Sequence, residues 1–185
     1  WITEGGSVEI PASLRSDHIP EECTVICRNN APLFRFAMQC LACGRSVSLA
    51  GSDIGPRLIG IMRKLGPESL TKAGTLDAIA EWLEAKLEKE SKTAEDTAAC
   101  MRVFAEQGRD LGQAIAYAEH LFRQTGKIHL TTGHKAKGLE WNNVYFLDPF
   151  LVRKNRGEQD MNLEYVISTR SRDRLVEINS EQIEW

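Results

Sequence analysis

Residues 128–147 read IHLTTGHKAKGLEWNNVYFL. Two apolar, strand-like runs, Ile128–Thr132 and Val144–Leu147, bracket the segment TTGHKAKGLEW, Thr131–Trp141. A plain connector draws on Asn, Asp, Gly, Ser and Pro. This one places His134, Lys135, Lys137, Gly138 and Glu140 in what reads as one tight turn. Thr132 and Gly133 end a strand, and a helix beginning near His134 would aim free backbone N–H groups at the loop side, a ready anion site. Lys135 and Lys137 add positive charge, while Glu140, an acceptor, suits a sugar hydroxyl better than a phosphate. A capped turn with solvated lysines explains the same residues, and spacing alone leaves both readings open.

Outward from this segment, strand and helix signals alternate. Cys23–Arg28 (CTVICR) is a short apolar run with two β-branched residues, the mark of a buried strand. Asn30 can cap the following helix, Pro32 suits its first turn, and Leu33, Phe36, Ala37 and Cys40 share a face that Gly44 ends. SVEIP and SVSLAG read as short strands. From Asp53 to Thr125 every period is helical. One helix places Leu76, Ile79, Ala80, Leu83 and Leu87 on one face, and two more end in glycine. Strand signals return at Ile128–Thr132, Val144–Leu147 and Arg174–Ile178, with a helix over Glu158–Ser171 between the last two. The expected fold is α/β, a mostly parallel sheet with helices on both faces. The expected divisions are 1–52 and 126–185 for the two parts of the α/β domain, and 53–125 for a helical insertion. In such sheets ligands bind beyond the carboxyl ends of the strands. Arg28, the Thr131–Glu140 segment and Arg170 are all expected there.

Composition narrows the class. With 185 residues, 42% of them hydrophobic, the chain can bury a substantial core, and its net charge of −3 makes any nucleic-acid contact local. The apolar runs are too short to span a bilayer, and the N-terminus WITEGGSVEI shows no signal peptide. Lacking an initiator Met and ending at Trp185, the chain reads as a fragment of a longer protein. Five cysteines are an odd number without disulfide density. Cys40 and Cys43 form a single C-x-x-C whose only candidate partners, Cys23 and Cys27, sit in the apolar strand. Reduced thiols in a cytoplasmic protein are expected, with zinc or redox chemistry as the rival.

The stretch NLEYVISTRSRDRL, Asn162–Leu175, puts Arg170, Arg172 and Arg174 at a helix end. Arginine there caps the helix dipole, or its planar fork reaches a phosphate. Taken in order, CTVICRNN, TTGHKAKGLEW…VYFLD and NLEYVISTRSRDRL resemble motifs IV, V and VI of UvrD/Rep-like superfamily 1 DNA helicases. The resemblance covers the α/β parts on both sides of the helical block and implies the second RecA-like domain of such an enzyme. ATP with Mg2+ would lie in the cleft between two RecA-like domains, the Mg2+ held by the N-terminal ATPase half. Single-stranded DNA would cross the top. By this resemblance Arg28 and Arg170 approach the γ-phosphate as arginine fingers. Gly138 and Glu140 belong to the nucleotide side, Glu140 at the ribose, and Thr132 and His134 lie towards DNA.

The chain departs from the family in three places. Gln159–Leu163 replaces the usual acidic and basic residues before Y-V-x-x-T-R, Ser171 stands where Ala is usual, and the insertion is short. No G-x-x-x-x-G-K-[ST] occurs in the 185 residues. Asp148 stands like a Walker B acid but is followed by Pro149, and reads as a strand-end residue. The chain alone is therefore expected to be inactive as an ATPase. The rival to a helicase part is a non-enzymatic module that keeps only a nucleic-acid or protein surface.

Overall fold

The computed structural model describes residues 6–50, 54–88, 93–154 and 157–185. In chain order it forms β1 (Ser7–Glu9), β2 (Leu14–Arg15), β3 (Cys23–Cys27), α1 (Asn30–Ala42), β4 (Val47–Leu49), α2 (Ile54–Met62), α3 (Lys72–Leu87), α4 (Ala94–Gln107), α5 (Leu111–Phe122), β5 (Ile128–Thr132), β6 (Trp141–Leu147), α6 (Phe150–Arg153), α7 (Glu158–Ser168), β7 (Ser171–Ile178) and β8 (Ile183–Glu184). Contacts divide the chain into two units, Trp1–Ala50 with Thr125–Trp185, and Gly51–Gln124.

The first unit is built on a six-stranded sheet in the order β1-β7-β6-β3-β5-β4, and every pairing between its strands is parallel. This is the RecA-like α/β architecture expected. β3 is buried at all five residues, as a central strand covered on both faces must be. On one face Ile26, Val144, Phe146 and Leu175 pack with Leu163 and Ile167 of α7. Leu163 and Ile167 are four residues apart and so meet the sheet from the same side of the helix. Each such side chain, once buried, contributes roughly 1.5–3 kcal/mol. α1 lies against β3, β4 and β5 and buries Leu33, Phe34, Phe36, Ala37 and Cys40. Asn29, not Asn30, occupies its N-cap position.

β6 and β7 begin three residues earlier than their apolar runs, at Trp141 and Ser171, and a bulge between Trp141 and Asn143 joins the extensions. β2 and β8 form a separate two-stranded sheet too short to leave a periodic signal. Gly126 does not stop a helix, because α5 already ends at Phe122. It is glycine because β4 passes close by: a Cβ there would lie 2.2 Å from the Ser46 carbonyl carbon.

The second unit is helical. α4 is its most buried element, with Met101 and Phe104 fully enclosed. Thr71 caps α3 by accepting from Gly74 N (3.2 Å), and Asp110 caps α5 by accepting from Gln113 N (2.8 Å). On α3, Ile79 is buried and Leu76, Ala80 and Leu83 are half-buried, but Leu87 in the last turn is exposed. The expected start of this block at Asp53 lies outside the described residues. Among the described residues no helix is long and apolar enough to cross a membrane.

Candidate functional site

Strand order decides where the equipped segment runs. β5 and β6 both pair in parallel with β3 and lie on either side of it. Chain leaving the carboxyl end of β5 must therefore travel back to the amino end of β6, across a face of β3. Gly133 through Glu140 does this in eight residues, where such crossovers usually need about a dozen or more. The segment is thus a short crossover rather than a tight turn, and no helix starts at His134. Thr132 O accepts from Lys135 N and Ala136 N, both at 3.0 Å, which closes a single helical turn. Leu139 N then donates to Ala136 O (3.1 Å), and Gly138 adopts φ +83°, which an L side chain resists. Ala136 is fully buried among Ile26, Val144, Leu163 and Ile167, so the middle of the segment is pinned to the sheet. Three of the N–H groups at the expected anion site are spent within the chain: Gly133 N donates to Cys27 O (3.0 Å), and Lys135 N and Ala136 N donate to Thr132 O.

The crossover distributes the expected site residues over two edges. Thr132 is buried at the carboxyl end of β5, and His134 is exposed one residue beyond Gly133. Arg28 follows β3 at the same edge. Its Nε and Nη2 both donate to Asp160 Oδ1, at 3.0 and 2.7 Å, from a side chain one-third exposed to a carboxylate only 9% exposed. Asp148 also stands there, after β6, in the left-handed region at φ 53°. Its Oδ1 accepts from Ser180 N (2.7 Å) and its Oδ2 from Ser180 Oγ (3.1 Å). Burial pushes its carboxyl above the ordinary carboxylate value, against the pull of those two bonds. It is a strand-end residue tied to the segment after β7.

Glu140 and Arg170 lie at the opposite, amino edge, contrary to the expectation that every cluster sits beyond the carboxyl ends. α7 runs back along the sheet between β6 and β7, so the residues after it emerge where β7 starts. Trp141 N donates to Arg170 O (2.9 Å), which holds the starts of β6 and β7 together. The Arg170 guanidinium donates to Val166 O (2.8 Å), Leu139 O (3.0 Å) and Thr169 Oγ1 (2.9 Å). Arg172 Nε donates to Glu140 Oε2 (3.1 Å), with both side chains more than half exposed. Glu140, Arg170 and Arg172 are therefore brought together, and Arg28 is not among them. From Asp160, which holds Arg28, to Arg170 is ten residues along α7, roughly 15 Å at the helical rise. Arg174 is occupied elsewhere, as a fork on Glu9 (2.8 and 2.7 Å) and a donor to the Tyr145 hydroxyl (3.0 Å).

Beside Glu140, a pocket of about 450 Å³ opens at the amino ends of β3, β5 and β6, with Thr24, His129, Glu140, Trp141, Asn142 and Asn143 among its lining residues. Thr24 is 1% exposed and its hydroxyl has no hydrogen-bond partner. An unpaired buried hydroxyl costs on the order of 1–3 kcal/mol. His129 lies beside Thr24 in register and shares a 2.7 Å hydrogen bond through Nδ1 with Ser48 Oγ. Glu140–Asn143 are contiguous in sequence, but only the register of β3, β5 and β6 brings Thr24 and His129 to them.

The thiols of Cys23, Cys27, Cys40 and Cys100 are buried and that of Cys43 is exposed. Burial pushes Cys23 and Cys40 up to about 12, which leaves them protonated and poor nucleophiles. Among the described residues no group of three His, Cys, Asp or Glu side chains could hold a metal ion.

The six-stranded parallel sheet with its helices is a RecA-like α/β domain, and it gathers Glu140, Arg170 and Arg172 at one edge. Residues 127–176 match the family model described as the UvrD-like helicase C-terminal domain, and the UvrD/Rep-like resemblance of this segment stands on that match. The matched span holds Thr132, His134, Gly138, Glu140 and Arg170 but not Arg28. A search of curated proteins finds no match.

Proposed function

We propose that the chain is the second RecA-like domain of an ATP-dependent DNA helicase or translocase, with the helical unit as an insertion. The observation that carries the reading is the crossover itself. One eight-residue segment, pinned at Ala136, starts at the edge bearing Thr132 and ends at the edge bearing Glu140 and Arg170. A motor that couples nucleotide chemistry to movement on DNA needs such a link between a DNA-facing and a nucleotide-facing surface. At the amino edge, Glu140 accepts from a ribose hydroxyl, and Gly138 lets the backbone turn towards the nucleotide. Arg170 stabilises charge on the transferring phosphoryl group. To do so its guanidinium leaves Leu139 O and Thr169 Oγ1. ATP with Mg2+ supplies the phosphoryl chemistry, and the N-terminal RecA-like half supplies the phosphate loop and the metal ligands. At the other edge His134 contacts single-stranded DNA, with Thr132 beneath it. Arg28, clamped to Asp160 at the end of α7 remote from Arg170, acts as a positioning residue for that helix rather than as a second finger.

A non-enzymatic binding module is the second reading. It is favoured by Arg170's three bonds to its own chain, which are those of a helix cap. Hydrolysis assays separate the two. The intact protein should hydrolyse ATP faster with single-stranded DNA present, at about 1 s⁻¹ or more, and this 185-residue chain alone should not. DNA-stimulated turnover by the chain alone, or none by the intact protein, contradicts the proposal.

A further inference from the structure

β1 is the outermost strand of the sheet and, among the described residues, pairs only with β7. The backbone groups on its outer side meet no strand there. Such an edge is usually blunted by charge or proline. Pro11 follows β1, but Val8 and Ile10 before it are each more than half exposed. Val8 is in register with Leu175, which packs with Leu163 and Ile167 of α7. Residues opposite each other in a sheet share a face, as do alternate residues along a strand. Val8 and Ile10 therefore stand on the α7 side of the sheet, uncovered. Ile10 also lines a pocket of about 460 Å³ whose walls include Pro149, Phe150 and Ile178, and Phe150 too is more than half exposed. An apolar trough thus continues the line of β1 past its carboxyl end. The charge beside it is positive. Arg153 is neutralised by Glu164 (2.6 Å) and Glu177 (2.8 Å), whereas Lys154, also lining the pocket, enters no ion pair among the described residues.

We propose that β1 and this pocket form a docking site for an extended, acidic segment of a partner protein. The segment adds to β1 as a further strand. It lays one apolar side chain on Val8, sets the next but one into the pocket beside Ile10 and Phe150, and brings a carboxylate to Lys154. Backbone pairing supplies the affinity of such strand addition, and alternate side chains supply its specificity. Nucleic acid suits the surface less, because its exposed walls are largely aliphatic and a single uncommitted lysine faces any phosphates. Glu140 and Arg170 lie at the amino edge and take no part in it.

The test titrates the 185-residue chain with the capped peptide Thr-Val-Thr-Ile-Asp-Asp, following backbone amide resonances. At about 1 mM the peptide should shift residues 7–10 and 149–154. The same peptide with methylated backbone nitrogens keeps its side chains but cannot pair as a strand, and should not bind. Ile10→Asp should weaken binding tenfold or more, roughly the loss of one buried aliphatic contact. Lys154→Glu should weaken it about fivefold and instead favour a peptide ending in Lys-Lys. Both positions are exposed, so both variants should melt with wild type. Equal binding of the methylated peptide, shifts that are absent or lie elsewhere, or unchanged affinity in both variants overturns the docking site. Displacement of the peptide from these residues by oligothymidine makes the surface a nucleic-acid one and overturns it as well.

Discussion

The two edges of the sheet hold their charges differently. At the carboxyl edge Asp160 is 9% exposed and takes two bonds from Arg28, and Asp148 is buried and takes two from Ser180. At the amino edge the Glu140–Arg172 ion pair has both side chains open to water. An exposed pair of that kind contributes only about 0–1 kcal/mol, so a ligand can exchange it at little cost. Breaking the Arg28–Asp160 clamp instead strands a nearly buried carboxylate. The same kind of ion pair is thus half-enclosed at one edge and exposed to water at the other.

The largest effect that sharpens this contrast belongs to Arg170. In the intact protein, Arg170→Ala should cut ATP turnover by roughly 10³-fold or more, with DNA binding largely kept. Arg28→Ala should instead act through stability. We expect a loss of about 2 kcal/mol, less than for a fully buried pair because Arg28 is one-third exposed. The double variant with Asp160→Ala should recover part of the loss in denaturant titrations. If Arg28→Ala melts like wild type yet abolishes turnover, Arg28 is a finger and the edges have been misassigned.

These roles were only partly legible in the sequence. β3 is short, apolar and buried, so composition reveals it, and Leu33, Phe36, Ala37 and Cys40 of α1 mark its inner face by spacing. From sequence the crossover looks like a turn, because local periodicity carries no information on strand order. Nothing near Gly133 says that β3, a hundred residues earlier, lies between β5 and β6. Arg28 and Asp160 are 132 positions apart, and their pairing has no local signal. The start of β6 was hidden because Asn142 and Asn143 read as loop, although a bulge carries them into the sheet.

The smallest effect concerns Asp148. Its folded-state carboxyl is pushed up by burial, so the folded chain binds this proton more readily than the unfolded chain does. Its charge therefore opposes folding above the raised value, and stability is regained as pH falls through that value towards the ordinary 3.8. Asp148→Asn keeps an acceptor for Ser180 N and tolerates the left-handed backbone. It should melt above wild type at neutral pH, with the gap closing in acid. A gap that does not vary with pH, or one of opposite sign, removes desolvation as the cause.

The separation of two ligands along one crossover is tested most directly by comparing His134→Ala with Glu140→Gln in the intact protein. Each variant is titrated with single-stranded DNA and with ATP, and each is melted. His134→Ala should weaken DNA binding by about 1–3 kcal/mol if the ring stacks on a base, with the apparent KM for ATP at saturating DNA unchanged. Glu140→Gln should raise that KM, since a ribose contact acts in ground and transition states alike, and leave DNA affinity alone. Both should melt with wild type. Parallel losses of both ligands accompanied by lowered melting would contradict the two-edge arrangement and leave Gly133–Glu140 as a structural connector.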